Sequence, residues 1–300
     1  MSYSSKYPLI SVIIPSFNQG DYIEETILSV IGQQYSNLEI IIIDGGSSDN
    51  TVDIIQKYSD HIKYWHSRKD QGQADAINQG MKLSSGEVLC WLNSDDMYLP
   101  GTLLDVGKRF IGRTDQNLLL YGAAVTIKEE SNNLNGGSQI PKPFDTFTLT
   151  YRDPIVQPST FWTRQLWEST GELNISYNYV LDWDWFIRAS KIAEFEQVSK
   201  FYSVYRYHPQ HKTSNGGMKR KKEIVEIVNN YSSDYWIKLY NFVYENNVEI
   251  KDFLQKCNKL RIFKILEKLN FKSQHLLIIM FFPRLKGNLK NIEDLRRVMI

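Results

Sequence analysis

Through the first hundred residues, short aliphatic runs alternate with stretches whose apolar residues recur at helical spacing. The runs are 9–14 (LISVII), 38–43 (LEIIII), 62–66 (IKYWH) and 87–92 (EVLCWL). They show little polar–apolar alternation, the pattern of strands covered on both faces. Pro15 is expected to end the first run, and Asp44-Gly45-Gly46 closes the second. Between them, Ile23, Ile27, Val30 and Ile31 mark one helix, and Val52 and Ile55, behind Asp49 as expected N-cap, mark another. Ala74, Ile77 and Met81 mark a third, ending near Gly86. Repeated strand–helix units of this length imply βαβ connections and an α/β fold with a mostly parallel sheet. Right-handed crossovers then bring the strands' carboxyl ends to one edge, where open α/β sheets bind ligands. The polar clusters 15–18, 44–49, 68–73 and 93–96 all follow strands and converge there.

The middle of the chain has further strand patterns at 119–127, 158–162 and 195–207. A loop is expected over 129–143, with the Asn/Gly/Ser segment 131–138 exposed and mobile. Beyond about residue 220 the pattern turns helical and basic. The expected organisation is a catalytic domain over 1–215, with halves at about 1–100 and 101–215, and a helical basic extension over 216–300.

Hydrophobic residues make up 42% and charged residues 23%, enough for a real core. The formal net charge of +1 gives no reason to expect nucleic acid as a partner. That charge is unevenly spread: 251–300 holds twelve Lys/Arg against four Asp/Glu, net +8, which leaves the first 250 residues at −7. There Ile262, Ile265, Leu266 and Leu269 share a helix face opposite Arg261, Lys264 and Lys268. Such a segment suits peripheral contact with an anionic membrane, and it suits packing on protein equally. Cys90 and Cys257 are far apart and lack metal-type spacing, compatible with a reducing cytoplasm. Residues 1–6 lack an apolar signal core, and the run 275–282 is too short to span a bilayer. The expected location is the cytoplasm, with contact at the inner face of the membrane through the basic extension.

Asn93-Ser94-Asp95-Asp96 places two carboxylates and an amide at a strand end, a compact oxygen set for Mg²⁺ or Mn²⁺. The competing reading, an Asx-turn leading into the next helix, is outweighed by the neighbouring polar loops. Asp44 at the mouth of the second strand can accept N–H or ribose hydroxyl bonds, and Gly45 and Gly46 permit close backbone approach. Pro15-Ser16-Phe17-Asn18 follows the first strand instead of a dinucleotide fingerprint or Walker loop. That argues against an oxidoreductase, a P-loop nucleotidase and a nucleotidyltransferase.

Val12-Ile13-Ile14-Pro15-Ser16-Phe17-Asn18, Ile43-Asp44-Gly45-Gly46-Ser47-Ser48-Asp49-Asn50-Thr51 and Leu92-Asn93-Ser94-Asp95-Asp96 resemble three signatures of family 2 glycosyltransferases. Asp70-Gln71-Gly72-Gln73-Ala74-Asp75-Ala76-Ile77-Asn78-Gln79-Gly80 resembles the family's stretch before the metal motif, and the likeness runs from about 8 to 214. The resemblance implies a GT-A fold, a nucleotide-diphospho-sugar donor, a divalent cation (Mn²⁺ or Mg²⁺) and, usually, inversion at the anomeric carbon. It implies that Pro15, Ser16, Phe17 and Asn18 line the base and ribose pocket and that Asp44 binds the base, most often uracil. Arg68, Gln73 and Asp75 would lie on the donor side. Asp96 and His208 would serve the metal or diphosphate, Asp95 would lie nearer the ribose, and Asn93 stands where aspartate is common.

Inverting transfer needs a base opposite the diphosphate. Leu181-Asp182-Trp183-Asp184-Trp185-Phe186-Ile187-Arg188 resembles the family's acidic motif, with Leu181 where glutamate is usual. Asp182 is the matching base and Asp184 the alternative. Asp182 as a helix cap, and an Asp184–Arg188 ion pair, are competing uses. Trp183 and Trp185 suit either a sugar face or the core. Lys212 would add positive charge at the leaving group. The expected activity is transfer of a hexosyl or N-acetylhexosaminyl group, UDP-linked first, to a glycan or lipid-linked sugar in bacterial surface polysaccharide synthesis. A catalytically silent nucleotide-sugar binder is the alternative, opposed by the intact Asp44, Asp95, Asp96 and Asp182.

Overall fold

A computed structural model describes residues 7–130, 133–246 and 298. They divide into two compact units, Met1–Leu149 with Asp153–Gly216, and Thr150–Arg152 with Gly217–Ile300.

The first unit begins β1 (Ile10–Ser16), α1 (Ile23–Ile31), β2 (Leu38–Asp44), α2 (Thr51–Lys57), β3 (Tyr64–Ser67), α3 (Gln73–Leu83) and β4 (Val88–Trp91). These four strands are parallel in the order β3-β2-β1-β4. The chain builds outward from β1 to β3 and then returns to β1's other side, which makes the β1/β4 junction a switch point. Reversing the direction puts α3 on the opposite face. Ile10, Val12, Ile14, Ile40 and Ile42 share a core with Ile23, Ile27 and Val30 of α1 and Ile55 of α2. Ile41 and Ile43 cluster instead with Ala76 of α3. The four consecutive isoleucines are therefore buried alternately on two faces, and no position in the run can be polar.

β1 runs one residue past Pro15, which pairs with Ile43. The proline is tolerated because β4 accompanies β1 only as far as Ile13↔Trp91, so no ladder bond is lost on that side. At α2 the N-cap is Asn50, one residue after the expected Asp49; Asp49 Oδ1 still accepts the Thr51 N–H at 3.0 Å.

The sheet continues through β5 (Met97–Tyr98), β6 (Leu118–Glu130), β7 (Asn133–Gln139), β8 (Thr160–Thr163) and β9 (Glu194–Tyr207), with β4-β8-β6-β9-β5 completing the order. Helices α4 (Thr102–Phe110), α5 (Thr146–Leu149), α6 (Arg164–Thr170), α7 (Leu181–Ala189) and α8 (Lys212–Asn215) complete the unit. The loop expected over 129–143 is a correction. Residues 133–139 form β7, antiparallel to β6 from Ala124↔Gln139 to Glu130↔Asn133. Backbone pairing overrides the weak strand propensity of Asn, Gly and Ser, and 135–138 remain exposed.

The second unit contains α9 (Gly217–Tyr231) and α10 (Asp234–Glu245). Tyr151 stacks on Trp236 at 3.9 Å between centroids, and Tyr240 Oη donates to Tyr151 O at 2.6 Å. The amphipathic 261–269 segment, the run 275–282 and Cys257 lie outside the described residues. Among the described residues no helix is long and apolar enough to cross a membrane.

Candidate active site

At the carboxyl ends of β1 and β4 a cavity of about 640 Å³ opens. Its walls come from the loops after β1, β2, β3 and β4, the start of α3, Asn178, the end of β9 and α8. Pro15, Ser16, Phe17, Gln73, Asn93, Asp95 and Asp96 of the sequence-derived set line it; Asn18, Asp44, Arg68, Asp75, Asp182 and His208 do not.

The β1 loop presents Phe17, 59% exposed, as an open aromatic face. Asn18, at φ +51, braces this loop on its neighbour: its N–H donates to Ser47 Oγ at 2.7 Å and its Oδ1 accepts the Ser48 N–H at 2.9 Å. Two buried atoms of cavity residues, Ser16 Oγ and Gln19 Oε1, have no partner among the described residues, unusual for buried polar groups unless a ligand supplies one.

Asp44 is fully buried, and four donors surround its carboxylate: the Gly46 and Ser47 N–H groups at 3.1 and 2.8 Å, Ser47 Oγ at 2.5 Å and Ser67 Oγ at 2.6 Å. It shapes the β2 turn from behind the cavity wall. A Cβ on Gly45 would stand 2.9 Å from Asp70 Oδ2, so a larger residue there would shift the Asp70 carboxylate, which lines the cavity. Arg68 is exposed and its N–H bonds Asp44 O at 2.9 Å, while Asp75 Oδ2 accepts from Gln71 N and Gln79 Nε2, each at 3.0 Å.

Asp96 is 1% exposed; its Oδ1 accepts the Arg206 N–H at 3.0 Å, and Asn93 Nδ2 lies 3.4 Å from its Oδ2. Burial first, then the Asp95 charge, pushes its carboxyl well above the usual range. Asp95 Oδ2 sits 3.0 Å from His208 Nε2. Burial alone would lower His208, but the bonds to Asp95 and Gln210 and the Asp95 charge leave it above its ordinary value. Tyr22 covers the imidazole at 4.2 Å between centroids. Among the described residues no three His, Cys, Asp or Glu side chains converge to hold a metal by themselves.

Arg206 was not singled out from sequence, yet it fixes this loop. Its Nε donates to Asp95 O at 3.1 Å, while Nη1 and Nη2 pair with Glu129 and Glu25. Its signal was an arginine inside an aromatic strand run, Tyr205-Arg206-Tyr207. Gln19, Asp70, Asn178, Tyr205 and Thr213 are further cavity residues that composition could not separate from loop polarity. Burial first, then the Asp96 charge, raises the Tyr205 phenol far above its ordinary value; Asp182 adds to this more weakly.

Asp182 lies in the first turn of α7, half-buried, with its Oδ1 accepting the Trp183 N–H at 2.9 Å. The helix cap is Val180, so Asp182 is not the capping residue. Asp184, 3% exposed, pairs with Arg188 Nε at 2.9 Å, and Arg188 also donates to Thr170 O and Glu172 O. Trp183 and Trp185 are core residues: their Nε1 atoms donate to Leu149 O and Gly171 O, and Trp185 packs 4.9 Å from Trp162.

A nearly continuous parallel half-sheet, a switch-point cavity and paired carboxylates at its mouth define an α/β fold of the ligand-binding class. Residues 11–166 match the family model Glycosyl transferase family 2, and the chain belongs to that family. It is 32% identical over 185 residues to the PGL/p-HBAD biosynthesis glycosyltransferase of Mycobacterium tuberculosis, covering 60% of this chain and 69% of that one. Its fold resembles S. aureus TarS 1-349 in complex with UDP-GlcNAc (TM-score 0.60, 17% identity, 97% and 90% of the two chains). It also resembles the mannosyltransferase PcManGT from Pyrobaculum calidifontis with GDP-Man and Mn²⁺ (TM-score 0.55, 17% identity, 75% and 64%).

Proposed function

We propose that this glycosyltransferase moves a hexosyl or N-acetylhexosaminyl group from a nucleoside-diphosphate donor, a UDP-sugar first, to a hydroxyl of a glycan or lipid-linked acceptor, with inversion. The observation that supports this most directly is the convergence of Asp95, Asp96 and Lys212 on one cavity beside the exposed Phe17 ring. The carboxylates suit an oxygen-preferring cation whose remaining ligands are diphosphate oxygens, and the charge crowding at Asp96 is what a cation would relieve. When bound, Mn²⁺ or Mg²⁺ would neutralise the departing diphosphate. Phe17 offers a stacking face to the base, and Lys212 a cation to the phosphates. Asp182 takes the proton of the attacking hydroxyl, and Arg206 keeps the Asp95–Asp96 loop in register. We place the enzyme in the cytoplasm, with the basic 251–300 segment toward the membrane surface, in bacterial surface glycan synthesis.

Calorimetric titration with UDP, GDP and TDP, each with and without Mn²⁺, tests this. One nucleotide is expected to bind only with metal, and Asp96→Ala to abolish that metal dependence. No binding of any of the three would remove the reading.

A further inference from the structure

Tyr205, near the end of β9, lines the cavity beside Asp95, Asp96, Lys212 and Thr213. Its Oη lies 3.1 Å from Nε2 of His211, which is itself 5% exposed. The proton position on His211 follows from its other nitrogen. Nδ1 accepts the Ser214 backbone N–H at 3.3 Å and sits 2.8 Å from Ser214 Oγ. A backbone N–H can only donate, so Nδ1 carries no proton and Nε2 does. His211 therefore donates to the Tyr205 oxygen. With one lone pair taken by the imidazole, the phenol cannot donate back to His211, and its own proton is left for another acceptor beside the cavity that Tyr205 lines. The imidazole is wedged edge-on against Tyr205 (5.4 Å, 86°) and against Tyr207 (5.0 Å). This packing locks the ring, and with it the direction of the phenol O–H.

Beside the Asp95 and Asp96 carboxylates, which suit a cation, the wall around Tyr205 offers donors: an ammonium at Lys212 and hydroxyls at Tyr205 and Thr213. Donors of this kind suit an anion better than a neutral sugar. Tyr205 shares the cavity wall with Asp95 and Asp96, the carboxylates read above as facing the diphosphate and its cation, whereas Asp182 does not line it. We propose that the Tyr205 hydroxyl, oriented by His211, donates a hydrogen bond to the diphosphate oxygen that departs from the anomeric carbon. This rests on the glycosyl-transfer reading above. As the acceptor oxygen bonds to the anomeric carbon, the bond from that carbon to the phosphate oxygen breaks and its electron pair stays on the phosphate. The acceptor proton passes to Asp182. Tyr205 keeps its proton throughout and strengthens its hydrogen bond as charge builds on the leaving oxygen. Tyr205 is thus a catalytic residue and His211 its positioning residue.

The full-length chain is assayed for nucleoside-diphosphate release from UDP-, GDP- and TDP-sugars in Mn²⁺. A wild-type chain that turns over none of them overturns the transfer reading and this proposal together; an active wild type isolates Tyr205. Tyr205→Phe is expected to lower kcat about 10²-fold. Donor KM, affinity for the free nucleoside diphosphate and melting temperature are expected to stay close to wild type. His211→Gln, whose amide can still donate, is expected to retain most turnover, while His211→Leu falls toward Tyr205→Phe. A Tyr205→Phe kcat within about threefold of wild type overturns the proposal, as does a loss of nucleotide affinity equal to the loss in kcat/KM. Should Tyr205→Phe not fold, equal turnover in the two His211 variants overturns it.

Discussion

Lys212 Nζ donates to Gln73 Oε1 at 2.8 Å, joining α8 to the first turn of α3 across 139 positions of chain. Gln73 Nε2 passes the link to Asn93 Oδ1 at 2.7 Å, and Asn93 Nδ2 faces both Asp96 and Gln157 at 3.4 Å. Lys212 is thereby connected to the buried Asp96 carboxylate through two amides. Both functional ends of Asn93 are used in this chain, which explains how an amide serves where the family often has a carboxylate.

Gln73→Leu cuts the chain at its middle while keeping the helix. The expected result is about fivefold to tenfold weaker metal-dependent nucleotide binding, the scale of one ordinary lost hydrogen bond. Titration calorimetry reads this, and wild-type affinity in the variant would confine the chain to a packing role.

Asp182→Asn keeps the side chain's shape and removes its basicity. Nucleotide binding is expected to be unchanged while transfer falls by about two orders of magnitude or more. Near-normal transfer would move the base elsewhere. Asp184 is poorly suited to replace it, because its carboxylate is buried against Arg188.

Gly80 is a packing glycine. A Cβ there would stand 2.5 Å from Ile13 Cγ2, and Ile13 is fully buried on β1. Gly80→Ala gains up to about 1 kcal/mol of helix propensity but overpacks the α3–β1 contact by about 1–3 kcal/mol. A net loss of stability is expected in chemical denaturation, and a net gain would show that Ile13 can yield.

Asp105 on α4 supplies a pH signature. Burial alone would raise its carboxyl, but bonds from Arg109, Lys200 and Tyr202 hold it well below the usual range. Its folded pKa is thus lower than its unfolded one, so its stabilisation is complete above about pH 4 and fades as pH falls further. Asp105→Asn is expected to lower the melting temperature at pH 7 and to lose less than wild type between about pH 5 and pH 2. Parallel melting curves across that range would show that the Asp105 contacts carry no linked proton.

Much of the donor half was legible because its information is local. An unbroken aliphatic run states that a strand is covered on both faces, and the polar clusters after 9–14, 38–43 and 87–92 state where those strands open. Covalent order and right-handed crossovers then bring the clusters to one edge. The weak point was 131–138, whose composition reads as loop although the backbone of 133–139 pairs with β6. Strand pairing is settled by a partner's edge, which a local window does not contain.

The sequence by itself determined the α/β class, the family and the residue types gathered at the carboxyl edge, since periodicity and chain order carry those. What each side chain contacts there follows from packing across the fold. That packing turned Asp44 inward onto Ser47 and Ser67, buried Trp183 and Trp185, and aimed Tyr205 at the cavity. It also set Arg206 against Asp95, 111 positions away. The physical reason is that a strand's burial follows from its own residues, whereas a polar side chain's role depends on which distant partners satisfy it, and packing alone brings those together.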